Sequence, residues 1–193
     1  KQRLISEAPG HSYIHFAGHS SYHWDDPSQS GLELYDSRMT LMELQNDTVH
    51  LYPARLVTLS SCETGMIDMI KGNPEEYIGI PATFLLSGVP CVVSSLWVVP
   101  DFSTALLMER MYTNHLKNGM NISEALREAQ LWVRELSIGE VAQYTQQWYD
   151  QSRQRSKELY KLLRHYRYQT HQNPTSCPFD HPYYWAGFMV NGM

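Results

Sequence analysis

Four short apolar runs, each bounded by turn residues, alternate along the chain with longer segments in which apolar residues recur every three or four positions. The runs Tyr13–Ala17 (YIHFA), Arg55–Ser60 (RLVTLS), Cys91–Leu96 (CVVSSL) and Tyr184–Val190 (YWAGFMV) are rich in β-branched or aromatic residues and short enough to be buried strands. Their alternation with helix-period segments is the signature of an α/β domain whose mainly parallel sheet is flanked by helices.

The intervening segments carry helix signals. Glu76–Leu86 opens on acidic residues with Pro81 near its start, so a helix with an irregular beginning is expected, and Gly88-Val89-Pro90 stops it. From Phe102 onward, Ala105, Met108, Tyr112 and Leu116 line one helix face, and Lys117-Asn118-Gly119 ends it. Asn121 and Glu124 resemble a capping box ahead of a helix bearing Leu126, Ala129, Val133 and Leu136. From Gly139 the chain turns polar and helix-favouring, with Val141, Tyr144, Trp148, Leu159, Leu162, Leu163 and Tyr166 as scattered anchors. This predicts a helical insertion over 139–172, before the last strand. Its aromatic residues are read as a packing face, with a partner-binding face as the alternative.

At 193 residues and 42% hydrophobic, the chain suits one domain with one substantial core. A net charge of −5 argues against direct nucleic-acid binding, which needs clustered Lys and Arg. The locally basic stretch Arg153–Arg167 has helical spacing and is interrupted by Glu158, so it reads as a solvated helix face. Three cysteines in unlike contexts make no disulfide framework, which points to a reducing, cytoplasmic compartment. No apolar run reaches the length of a membrane span. The opening KQRLISEAPG carries neither an initiator Met nor a signal-peptide core, so the chain is expected to be a piece of something larger.

Chemistry is sought at the carboxyl ends of buried strands, where open α/β sheets hold their ligands. Cys62 directly follows RLVTLS, and His19 follows YIHFA with Gly18 allowing a sharp exit and Ser20-Ser21 continuing a loop. If those strands are parallel neighbours, both side chains leave at the same sheet edge. There an imidazole can activate a thiol and later protonate a leaving amine. Taken alone, a strand-end cysteine is more commonly a small buried hydrophobe. Cys91, within an apolar strand, and Cys177, in a Pro-rich loop, are read as structural. His15, His19 and His23 are spaced four apart, but not on a helix, so no metal site is read, nor any cofactor. A G-x-S-x-G elbow does not occur.

HFAGHS and LSSCETG together resemble the histidine and cysteine motifs of the CHAT family of caspase-like peptidases, often joined to tetratricopeptide repeats. The resemblance continues through GIPATFLLSGVPCVVSSLWVVPD and TALLMERMYTNHLKNGMNISEALREAQ to HPYYWAGFMVNG, in the family's order over nearly the whole chain. It implies a caspase-like domain over residues 1–193. His19 is then general base and acid, Cys62 the nucleophile, and the backbone N–H groups of Cys62 and Ser20 the oxyanion donors. The family commonly has Gly where Ser20 stands. Gly65 would let the backbone bend away from a scissile peptide. Asp101, in SLWVVPD, resembles the acidic position with which separases receive a basic P1 side chain, although a helix N-cap explains it equally well. Trp97 would wall the same pocket or simply pack in the core. Only Lys1–Pro9 precede the histidine-bearing strand, so the first strand and helix of a caspase-like fold are expected in a preceding segment.

The function this implies is a cysteine endopeptidase acting on a protein substrate. It would be gated by a preceding tetratricopeptide or sensor segment, or by a partner such as an RNA-guided CRISPR effector complex. The alternatives are an inactive caspase-like scaffold that binds a partner protein, and an acyltransferase or thioesterase using the same dyad.

Overall fold

The computed structural model describes residues 1–21, 23, 25–46, 49–60, 79–152 and 156–192. The chain divides into two compact units, Lys1–Thr104 with Gly187–Met193, and Ala105–Ala186.

The first unit is built on a four-stranded sheet. Strands β1 (Tyr13–Phe16), β5 (Leu56–Leu59), β6 (Cys91–Ser95) and β7 (Phe188–Gly192) lie in the order β1-β5-β6-β7. The first three are mutually parallel and β7 runs antiparallel to β6. The two central strands, β5 and β6, are buried at every position, whereas β1 and β7 alternate or stay partly exposed. That difference explains why RLVTLS and CVVSSL read as unbroken apolar runs: a central parallel strand has no solvent face. On one side of the sheet Val57, Leu59 and Val92, with Ile14 and Phe16, join a core formed with helices α1 (Gln2–Glu7), α2 (Leu41–Gln45) and α3 (Ile80–Leu86). Pro81 falls in the first turn of α3, where its missing N–H costs nothing. The expected start of this helix at Glu76 lies outside the described residues.

A second, antiparallel sheet was not anticipated. Strands β2 (His19–Ser21), β3 (Gly31–Glu33) and β4 (Arg38–Thr40) pair in that order. Ser20 and Ser21, expected in a loop, are therefore strand residues. At the first position of β3 a glycine is required, because a Cβ on Gly31 would lie 2.0 Å from the Met39 carbonyl oxygen.

The last strand is displaced from its expected span. His181 caps a 3-10 turn, Pro182–Tyr184, its Nδ1 accepting from the Tyr183 N–H at 3.2 Å. The turn consumes the aromatic residues assigned to the start of the strand, and β7 begins at Phe188.

The second unit is helical. Helix α4 (Asp101–Tyr112) has its opening turn in the first unit and continues as one π-helical stretch, Thr113–Lys117. Helix α5 (Ile122–Glu135) is capped by Asn121, whose side chain accepts from the Glu124 N–H at 2.9 Å. Helix α6 (Ile138–Gln151) begins with a full capping box between Ser137 and Glu140, and α7 (Lys157–Gln172) packs along it. Tyr144 meets Trp132 edge-on at 5.2 Å, Trp148 donates to Glu109 at 2.9 Å, and Val141, Leu163 and Tyr166 are buried. These aromatic rings thus pack within their own unit. Lys157, Lys161, Arg164 and Arg167 are exposed along α7, while Arg153 and Arg155 lie outside the described residues.

Candidate active site

Because β1, β5 and β6 are parallel, their carboxyl ends share one edge of the sheet. Phe16 and Leu59 are register partners, and Leu59 is in turn opposite Ser94. His19 stands three residues beyond Phe16, and Cys62 three residues beyond Leu59. Cys62 and Gly65 lie outside the described residues; Ser60 is the last described residue before them.

His19 opens β2 and is exposed, with Glu33 of β3 as its direct cross-strand partner. Residues opposite one another share a sheet face, with Cβ atoms about 5 Å apart. Glu33 accepts from Ser21 Oγ at 2.7 Å and from Arg38 Nε at 2.6 Å. The Ser21 hydrogen bond, followed by that of Arg38, holds its carboxyl below the ordinary range, so it is ionised at neutral pH. An ionised carboxylate, paired with Arg38, therefore belongs to the strand face that His19 shares. Glu33 escaped the sequence reading because nothing local announces the β2–β3 pairing. Ser20 sits between His19 and Ser21, half-buried and opposite Leu32.

His15 sits within β1, and its Nε2 lies 2.6 Å from Ser60 Oγ. Its ring keeps solvent contact, yet the surrounding protein is dense enough that desolvation lowers its pKa below 6.5. His23 spends its Nε2 on Arg38 at 2.5 Å. Among the described residues no group of three His, Cys, Asp or Glu side chains converges as a metal site.

The loop after β6 reaches the same edge. Trp97 is half-buried and packs over Gly187, where a Cβ would meet its indole at 3.1 Å. The Leu96 N–H donates to the Gly187 carbonyl at 2.6 Å, which ties this loop to the start of β7. Asp101 is the exposed first residue of α4, where its charge complements the helix dipole. Cys91 is buried in β6 and desolvation raises its thiol pKa, which keeps it protonated and inert. Cys177 is half-buried, its Sγ 3.6 Å from the Glu135 carbonyl. No helix among the described residues is long and apolar enough to cross a membrane.

Comparison with known proteins fits this arrangement. The human tetratricopeptide repeat protein 28 is 26% identical to the chain over 140 residues, covering 72% of the chain but 4% of that protein's length. The CHAT domain family model matches residues 1–193, its full extent. With its parallel sheet, its carboxyl-edge histidine and this match along the entire sequence, the chain belongs to the CHAT domain family, a family of caspase-like peptidases.

Proposed function

We propose that this chain is a cysteine endopeptidase domain in which Cys62 attacks a peptide carbonyl and His19 handles the proton. The observation that carries the reading is the register of Phe16 with Leu59 on adjacent parallel strands, from which His19 and Cys62 each follow at the same interval. Neighbouring strands lie about 4.8 Å apart, and three residues of chain reach at most about 10 Å. No third element is needed to bring an imidazole and a thiol together at that edge.

In the reaction the Cys62 thiol passes its proton to His19, and the thiolate adds to the scissile carbonyl. The oxyanion is held by the backbone N–H groups of Ser20 and Cys62, the amine leaves with the proton from His19, and water releases the acyl group. Asp101 would receive an Arg or Lys side chain at P1, and Trp97 would form a wall of that pocket. Membership in a family of caspase-like peptidases and similarity to a tetratricopeptide repeat protein support gating by a repeat segment or a partner; an RNA-guided effector complex is one such trigger.

The test is cleavage of a peptide library by the full-length protein with its activator, comparing wild type with Cys62→Ala and Asp101→Asn. All cleavage is expected to disappear in Cys62→Ala, and Asp101→Asn should lose mainly substrates with Arg or Lys at P1. No cleavage by the activated wild type would instead favour a partner-binding scaffold. Cleavage indifferent to Asp101 would leave that residue as a helix-terminal charge.

A further inference from the structure

Among the described residues β1 is joined to the four-stranded sheet through β5 alone. Its ladder runs from Tyr13↔Leu56 to Phe16↔Leu59 and is extended by one bond, from the Ser60 N–H to the Phe16 carbonyl at 3.0 Å. In sequence, Phe16 leads on to His19 and Ser60 to Cys62. At this exit the side chains add a second link, the 2.6 Å contact between His15 Nε2 and Ser60 Oγ. Thr58 is the register partner of His15, and Ser60 lies two residues further along the same strand face. The imidazole therefore leans diagonally across the strand gap, toward the carboxyl edge. Two short hydroxyl side chains would not span that diagonal, and an aliphatic one would span it without a polar bond.

We propose that the His15–Ser60 hydrogen bond is a clamp on the two strand exits, and that His15 is a positioning residue for the thiol chemistry of Cys62. The inference rests on the peptidase reading above. Desolvation disfavours the charged form of the His15 ring, and the neutral ring can meet Ser60 Oγ as donor or acceptor according to its tautomer. In that state it adds no competing positive charge beside the dyad. Cys62 follows Ser60 by two residues in the sequence, so the chain length from a fixed Ser60 bounds the positions the thiol can take relative to His19. A displacement of about 1 Å at a reacting pair can cost up to about a hundredfold in rate.

The experiment uses the full-length protein in the state in which wild type cleaves peptides. It measures peptide-cleavage kcat and KM, and the rate at which iodoacetamide alkylates each cysteine, resolved by peptide mass spectrometry. Wild-type Cys62 is expected to alkylate faster than Cys91 and Cys177, and to lose that advantage in His19→Ala. Ser60→Ala, which removes only a hydroxyl, should lower kcat and Cys62 alkylation by about tenfold with KM little changed. His15→Phe should do the same. His15→Gln, whose amide can still meet Ser60, should recover most of the loss. If Ser60→Ala and His15→Phe shift the melting temperature but leave kcat and alkylation untouched, the bond is structural and the clamp is wrong while the dyad stands. If wild-type Cys62 reacts no faster than the other two cysteines and no state cleaves peptide, the dyad reading fails and the clamp falls with it.

Discussion

The two sheets of the first unit differ in how completely they are buried. In the parallel sheet, β5 and β6 are buried at all nine positions, so side-chain burial holds them whatever their neighbours do. In the antiparallel sheet each strand is three residues long; Leu32 and Met39 are buried in the same core, while Ser21, Glu33 and Arg38 are tied to one another by polar bonds at a partly exposed surface. His19 belongs to the weaker sheet and Cys62 follows the stronger one. His19 therefore rides on short strands held largely by polar bonds, which open at lower cost than strands buried at every position.

The comparison is broken most severely by Leu59→Ala. Leu59 is fully buried on the core face of β5 and belongs to the cluster that unites the sheet with α1, α2 and α3. Truncation should cost about 2–5 kcal/mol, from lost apolar transfer and the cavity left behind. Chemical denaturation should show a lowered midpoint, and hydrogen exchange should quicken across β1, β5 and β6 together. An effect confined to β5 would mean that the central strands are less cooperative than their burial implies.

Gly31→Ala tests the weaker sheet. The added methyl carbon meets a backbone oxygen rather than a flexible side chain, so β3 and β4 must separate. The cost is expected at about 1–3 kcal/mol, below that of Leu59→Ala. Amides of β2 to β4 should lose protection while those of β5 and β6 keep theirs. Peptide cleavage should fall more than global stability does, because His19 is carried on β2.

The same contrast explains what could be read from the sequence. Long apolar runs with no solvent face announce themselves, so the sequence locates β5 and β6 to within a residue or so, whereas the parallel pairing of β1 with β5 stands in it only as a condition that the structure meets. The helix N-termini at Asn121 and Ser137 carry side-chain caps, of which only the first was recognised. The antiparallel sheet was illegible because His19-Ser20-Ser21 has low strand propensity and too few residues to show alternation. Glu33 and the His15–Ser60 bond were hidden for a related reason: both depend on register between segments remote in sequence. The start of β7 was misplaced because the His181-Pro182 signal for a capped turn was outweighed by the aromatic residues after it.

The gentlest way to sharpen the comparison is Arg38→Met, which keeps most of the side chain's bulk and removes its charge. The Arg38–Glu33 pair is about one-third exposed on each side, so stability should change by no more than about 1 kcal/mol. The electrostatic consequence at Glu33 is more informative. Glu33 has its pKa lowered in the folded protein, so its contribution to stability is present above its ordinary value of 4.5 and fades as pH falls through the lowered one. It therefore stays ionised between pH 6 and 8 even without Arg38, helped by the Ser21 hydrogen bond that is the larger cause. Removing the guanidinium leaves that negative charge less compensated on the face His19 shares. The pH at which the Glu33 carboxyl carbon titrates by NMR should then rise toward its ordinary value, less in high salt, because the hydrogen bond and charge of Arg38 are among the causes that lower it. No rise at low ionic strength would mean that the Ser21 hydrogen bond alone holds the carboxyl down, and that Arg38 serves this sheet only by packing along it.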